Sequence, residues 1–363
     1  MSTKVSGLAP RVGFAAILLC GAATAAQALT NQEIFNYRGP DRQKLLEEGA
    51  RREGTVVLYS AMIVNQAQRP LAEAFRKKYP YIDIKYWRGD DNQIVAKVTA
   101  ESRANSFVVD VVEGSGASGN MAASGISLPF WSQYSEVLPA EAKSPKGLWA
   151  TTRYRYIGLG YNTKLVKKED APKSYDDLLD PKWKGKMSWA IGSDASGAMI
   201  VITSLRTAWG DQKAEDYLTK LAKQDVAPRA MSNRAVVDRM IEGEFQIGIG
   251  ISAHHPIISA RKGAPSDTVM LDPTPALNDT VQVVGGSKHP HAAMLLVDFI
   301  LSPEAQTLLQ EAEYFPSNPN VEPADTLKRI VPRNSGVPAV VITPELLLRE
   351  TAPSAKMFEK LFK

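Results

Sequence analysis

The chain is almost without cysteine: Cys20 is the single one in 363 residues. It lies inside an apolar N-terminal run, and once that run is removed no thiol remains. This excludes disulfides, cysteine nucleophiles and thiolate metal sites, and leaves stability to the core alone. Histidine is scarce too, with four in all. Neither sign of charge dominates: beyond residue 28, 41 basic residues stand against 39 acidic ones. With no block of like charge, nucleic acid is excluded as the main partner. GxSxG and HExxH are both absent, as are short repeats and low-complexity tracts. No apolar run reaches the roughly 20 residues that span a bilayer.

What is present describes an ordinary globular chain, 44% hydrophobic and long enough for two domains. Lys4 and Arg11 flank the beginning of "VGFAAILLCGAATAA", about 15 residues long, which is followed by "AQA" at 26–28. This is the pattern of an export signal with a small-x-small cleavage site. Residues 1–28 are therefore expected to be removed, giving a soluble exported protein. Leu19 stands where a lipid-attachment site at Cys20 would want a small residue.

Residues 29–53 read as a polar, helical lead-in ended by Gly54. "TVVLYSA", "YIDIKYW" and "FVVDVVEG" read as strands. Between them lie the amphipathic stretches "QAQRPLAEAFRKKYP" and "NQIVAKVTAESRA". This β-α-β-α-β order predicts a parallel, doubly wound sheet, with ligands bound outside the carboxyl ends of its strands. Ser60, Arg88 and Ser115 fall on those ends. A second series, starting near residue 153, includes helices at "SGAMIVITSLRTAWG" and "RAVVDRMIEGE" and a strand at "FQIGIGI". The pattern then returns to "DTVQVVGGS" and to a helix broken at Ser302-Pro303. Two α/β lobes follow: 54–150 with 276–320, and 151–275. The tail 321–363 is read as helical, with "TPELLLRETAPSAKMFEKLFK" (343–363) as one amphipathic helix packed on a lobe.

"YNTKLV" (161–166), "YDDLLDPKWKGKMSWA" (175–190), "SGA" (196–198), "KHPHAAMLLVDFILSPEAQTLL" (288–309) and "YFPSNP" (314–319) together resemble the periplasmic solute-binding proteins of ABC importers. The resemblance is to the branch that includes ferric-ion-binding proteins, and it covers residues 54–320. It implies a type II periplasmic-binding fold, in which two α/β lobes joined by a two-strand hinge close over a ligand. It also implies a monomer that performs no reaction, carries no cofactor and delivers its solute to an inner-membrane permease.

Ser196, Gly197 and Ala198 stand where a loop turns into a helix. Unpaired N–H groups and the positive dipole end can seat an anion there. In similar family members this element holds an oxyanion, and further family contacts fall on Asn233 and Ser252. Each of these residues also has a plain reading as a helix cap; the three together favour a small anionic solute bearing phosphate, phosphonate or carboxylate. Arg88 from the facing lobe could pair with it bidentately. Of Arg153, Tyr154, Arg155 and Tyr156, either the arginines or the tyrosines should line the cleft.

Ferric-binding members grip iron with two adjacent tyrosines, and these positions fall on Ala253 and His254. The family's glutamate position falls near Ser115 and its first-lobe histidine near Ile63. Every expected iron ligand is replaced, so ferric iron or a metal complex is the alternative solute rather than the leading one. One histidine of the pair His254 and His255 is read first as a donor to the ligand, then as a loop filler, and last as a metal ligand, because neighbouring side chains in an extended loop point apart. A metal-dependent hydrolase built on this pair and Asp194 is set aside. His289 and His291 are expected to be structural.

Overall fold

The structure, a computed structural model, describes residues 1–4, 7, 29–191, 197–229 and 231–362. The lead-in is two helices rather than one, α1 (Asn31–Phe35) and α2 (Arg42–Glu53). Both are built into the body of the protein: Phe35 and Leu46 are fully buried among the side chains of the first half. Arg42 is also buried, paired with Asp298.

The β-branched run of β1 (Thr55–Ser60) forms the centre of a parallel trio with β2 (Asp83–Arg88) and β3 (Val111–Gly114). The crossovers are α3 (Arg69–Lys78) and α4 (Asp91–Arg103). A π-helical turn at Val64–Gln68 leads into α3. At the other crossover, Asp90 and Gln93 form a capping box that starts α4 on the edge of the later cleft. A short α5 (Ala117–Ala123) and β4 (Ser127–Leu128) follow.

Two long strands then pass between the halves. The first part of β5 (Ala150–Asn162) pairs antiparallel with β10 (Thr274–Val284). Its last part pairs with β8 (Ile247–Ser252) and β9 (Ser266–Val269). β10 also pairs with β3, so the sheet runs β2-β1-β3-β10-β5-β8-β6-β7, with β6 at Met187–Ala190 and β7 at Ala227–Arg229. The sheet is mixed rather than purely parallel, because antiparallel β5 and β10 lie between two parallel groups. Around the second group pack α6 (Gly197–Trp209), α7 (Asp211–Ala222), α8 (Asn233–Glu242) and α9 (His254–Arg261). Their core centres on Trp189, Ile200, Leu205, Leu218 and Ile249.

The chain then returns to the first half as α10 (Pro290–Leu301) and α11 (Pro303–Glu311), bent by 58° at Ser302, whose hydroxyl caps α11. The two-residue β11 (Phe315–Pro316) pairs with β5. The tail is more than a helix. After a short α12 (Pro332–Ser335), β12 (Ala339–Ile342) adds in parallel to β10, and only then does α13 (Pro344–Phe362) begin. Helix α13 belongs to both halves. Phe358 and Leu347 enter the second core, and a Cβ on Gly119 of α5 would come within 2.5 Å of the Pro344 carbonyl oxygen.

Candidate functional site

The carboxyl ends of β1 and β2 face the starts of α8 and α9 across a cleft of about 400 Å³. Its floor is the hinge strand β5. Alternation turns Arg153 and Arg155 into the cleft, while Tyr154 and Tyr156 stack behind it with ring centroids 6.0 Å apart, in a separate cavity of about 260 Å³.

The floor is a buried network of charges. Arg153 pairs with Asp279 and, at 3.2 Å, with Glu113. Arg155 reaches Asp279 at 3.3 Å and Asp91 at 3.9 Å, and donates to the Ser115 hydroxyl. Burial opposes the charge of Arg153, but Asp279 and Glu113 outweigh it and raise its pKa. Burial raises the pKa of Glu113 against the pull of Arg153. Asp91 accepts from the Ser115 and Gly116 amides and the Ser115 hydroxyl. Asp279, Glu113 and Asp91 are thus all engaged by the protein itself.

The walls are different. Asn233 is the first residue of α8, where Ser232 supplies the cap by accepting from the Ala235 amide. Asn233 is therefore free of capping duty. It is 6% exposed, and neither its Oδ1 nor its Nδ2 has a partner among the described residues. His254 and His255 are not in an extended loop but open α9, and both line the cleft, with rings 4.4 Å apart at 64°. Consecutive helical residues lie about 100° apart around the axis, close enough for both to face one side. His254 is 3% exposed, and among the described residues neither of its ring nitrogens nor the Nδ1 of His255 has a partner. Burial, then His255 and the arginines, holds His254 well below the usual imidazole range. Burial, Arg234 and Arg155 push His255 down to about 3. Both rings are neutral at physiological pH.

Of the other residues singled out from sequence, Ser252 lines the cleft at the end of β8, and Arg88 lines it from the opposite side. Arg88 is exposed and has no carboxylate partner among the described residues. Two expectations need correcting. Ser60 and Ser115 are spent inside the first half: Ser60 donates to Glu113 at 2.6 Å and accepts from the Met62 amide, and Ser115 holds Asp91 and Arg155. Gly197 and Ala198 are buried at the start of α6 and do not line the cleft. The missing Cβ of Gly197 serves packing rather than ligand approach. Its φ is +58°, and a Cβ there would lie 1.9 Å from the Ala190 carbonyl oxygen. The Gly197 carbonyl in turn sits 2.7 Å from where a Cβ on Gly250 would be, directly behind the end of β8. Ser196 and Asp194 lie outside the described residues, as does nearly all of 1–28.

His289 and His291 sit on carboxylates, at 2.9 Å from Asp110 and 2.6 Å from Glu53, away from the cleft. Sequence reasoning missed Asp279, Tyr314, Asp91 and Arg234. Asp279 had a signal: an acid inside the apolar strand "TPALNDTVQVV" needs a buried cation.

The sequence profile of bacterial extracellular solute-binding proteins matches residues 108–334. An uncharacterised protein of Haemophilus influenzae is 28% identical over 269 residues, 71% of this chain and 76% of its own. A Salmonella typhi protein, named provisionally as a 2-aminoethylphosphonate-binding periplasmic protein, is 27% identical over 178 residues, 47% of this chain and about half (52%) of its own. Iron-bound HitA from Pseudomonas aeruginosa superposes with a TM-score of 0.72 at 24% identity, covering 85% of this chain and 99% of its own. With the two-lobed fold and the cleft at its strand ends, these likenesses show that the chain belongs to the bacterial extracellular solute-binding protein family, in the branch that shares its fold with the ferric-binding proteins.

Proposed function

We propose that the protein is the periplasmic receptor of an ABC importer, exported by residues 1–28, and that as a monomer it captures a small anionic solute between its lobes for an inner-membrane permease. One observation carries this reading: at the starts of two helices, Asn233, His254 and His255 present buried polar atoms that no described residue satisfies. Buried polar groups are normally paired, and unpaired ones converging in a cleft are what a ligand would complete. The sign of the ligand follows from the charges left over. The acids of the floor are engaged, and Asp90 on the rim accepts from the Gln93 amide at the start of α4, whereas the Arg88 guanidinium has no partner among the described residues. The helix starts add positive potential. The provisional name of the Salmonella relative points to an anion of this kind.

Ferric iron is the weaker reading. Ala253 and His254 occupy the positions where the family's iron binders carry tyrosines. The phenol that does line the cleft, Tyr314, accepts from the Ile63 amide, and burial raises its pKa, away from the phenolate a hard cation needs.

Calorimetric titration of the purified protein with phosphate esters, phosphonates and carboxylates tests the proposal, with saturable binding expected for at least one. No response to any anion, or stoichiometric iron in protein purified without chelators, overturns it.

A further inference from the structure

The unpaired atoms of the cleft restrict the ligand further than its charge does. Asn233 Oδ1 can only accept a hydrogen bond and Nδ2 can only donate one. A neutral imidazole has one donor and one acceptor, and both nitrogens of His254 are buried and unpaired among the described residues. The two side chains therefore ask for donors as well as acceptors. A fully ionised oxyanion offers acceptors alone, and would leave Asn233 Oδ1 and the bare nitrogen of His254 buried without partners. An ammonium group would supply donors, but it would be buried beside His254 and His255, where burial first and then the nearby arginines disfavour a positive charge on the rings. A hydroxyl group donates and accepts, and carries no charge to be disfavoured there. The cleft, at about 400 Å³, also has room for a ligand well beyond a single tetrahedral ion.

Resting on the anion reading above, we infer that the solute is a hydroxyl-bearing organic anion of the polyol-phosphate kind, with hydroxyls read by Asn233, His254 and His255 and the anionic group facing Arg88. In this arrangement Asn233 and His254 set specificity, and Arg88 supplies charge complementarity that any anion would share.

The test is competition at pH 8, where a phosphate monoester is doubly ionised. Fructose 6-phosphate and glycerol 3-phosphate supply hydroxyls, ethyl phosphate and sulfate offer acceptors alone at this pH, and 2-aminoethylphosphonate supplies an ammonium. The polyol phosphates are expected to bind at least about tenfold tighter than the other three, since each unmet buried partner costs roughly that factor. Asn233→Leu and His254→Phe should each cut the ratio of polyol-phosphate to ethyl phosphate affinity by about tenfold or more. That difference separates recognition of hydroxyls from general damage to the fold. If sulfate, ethyl phosphate or 2-aminoethylphosphonate binds as tightly as the polyol phosphates, the inference falls and the anion reading stands. If none of the five binds, the inference falls, and the anion reading falls with it only when the carboxylates of the titration above fail as well.

Discussion

Arg88 and the arginines of the floor differ in what they are committed to, and substitution should separate them. Arg153 and Arg155 neutralise buried acids, so removing either leaves an uncompensated buried charge, at a cost of about 3–5 kcal/mol. Arg88 has no such duty. Arg88→Ala is expected to lower anion affinity by about tenfold or more while changing stability by less than about 0.5 kcal/mol, as calorimetry and urea unfolding will show. The histidines give a second expectation. Their folded-state pKa values lie below the unfolded value of 6.5, so the unfolded chain binds more protons between that value and about 3 for His255. Stability contributed by the neutral rings is present above pH 6.5 and is lost as pH falls through this window. His255→Asn should remove up to about 1.4 kcal/mol per pH unit of that slope, measured as urea midpoints from pH 7 to pH 4. At this scale the sequence was partly legible. Asn233, Ser252 and the histidine pair could be placed because helix and strand boundaries are local. Ser60 and Ser115 misled, because whether a serine faces a cleft or a neighbouring acid depends on residues far away in the chain.

At the scale of elements, the starts of helices carry the site, and their placement depends on close backbone packing. Helix α6 approaches β6 so closely that Gly197 meets the Ala190 carbonyl, at a φ that L side chains rarely adopt. Gly197→Ala is expected to destabilise the protein by at least about 1–3 kcal/mol, visible as a lower urea midpoint. Repeating strand–helix patterns announced β1 to β3 and the helices between them. The π turn before α3, the second lead-in helix and β12 were not announced. Each is set by tertiary context: β12 is a short "AVVI", from exposed Ala339 to buried Ile342, that becomes a strand only because β10 offers it an edge.

At the scale of the whole molecule, two lobes could be expected from the order of elements, whereas the return of the tail across both could not. Residues 344–362 make contacts with parts of the chain more than 100 residues earlier, such as Thr203 with Ser354 at 2.8 Å and Trp149 with Glu345 at 2.8 Å. No local pattern encodes such distant partners. If export proceeds as proposed, the intact mass of protein recovered from the periplasm should correspond to a chain beginning at Leu29. A mass retaining residues 1–28 would instead indicate an uncleaved anchor.

Strand β5 shows the cleft arginines on one face and the tyrosine stack on the other, and a strand is stiff enough that the two faces turn together. Any twist of the hinge that brings Arg155 toward a solute must therefore re-angle Tyr154 and Tyr156 in their own chamber. The protein carries a native optical gauge: near-ultraviolet circular dichroism in the tyrosine band should register occupancy from behind the binding site, with no label and no change to the residues that hold the solute.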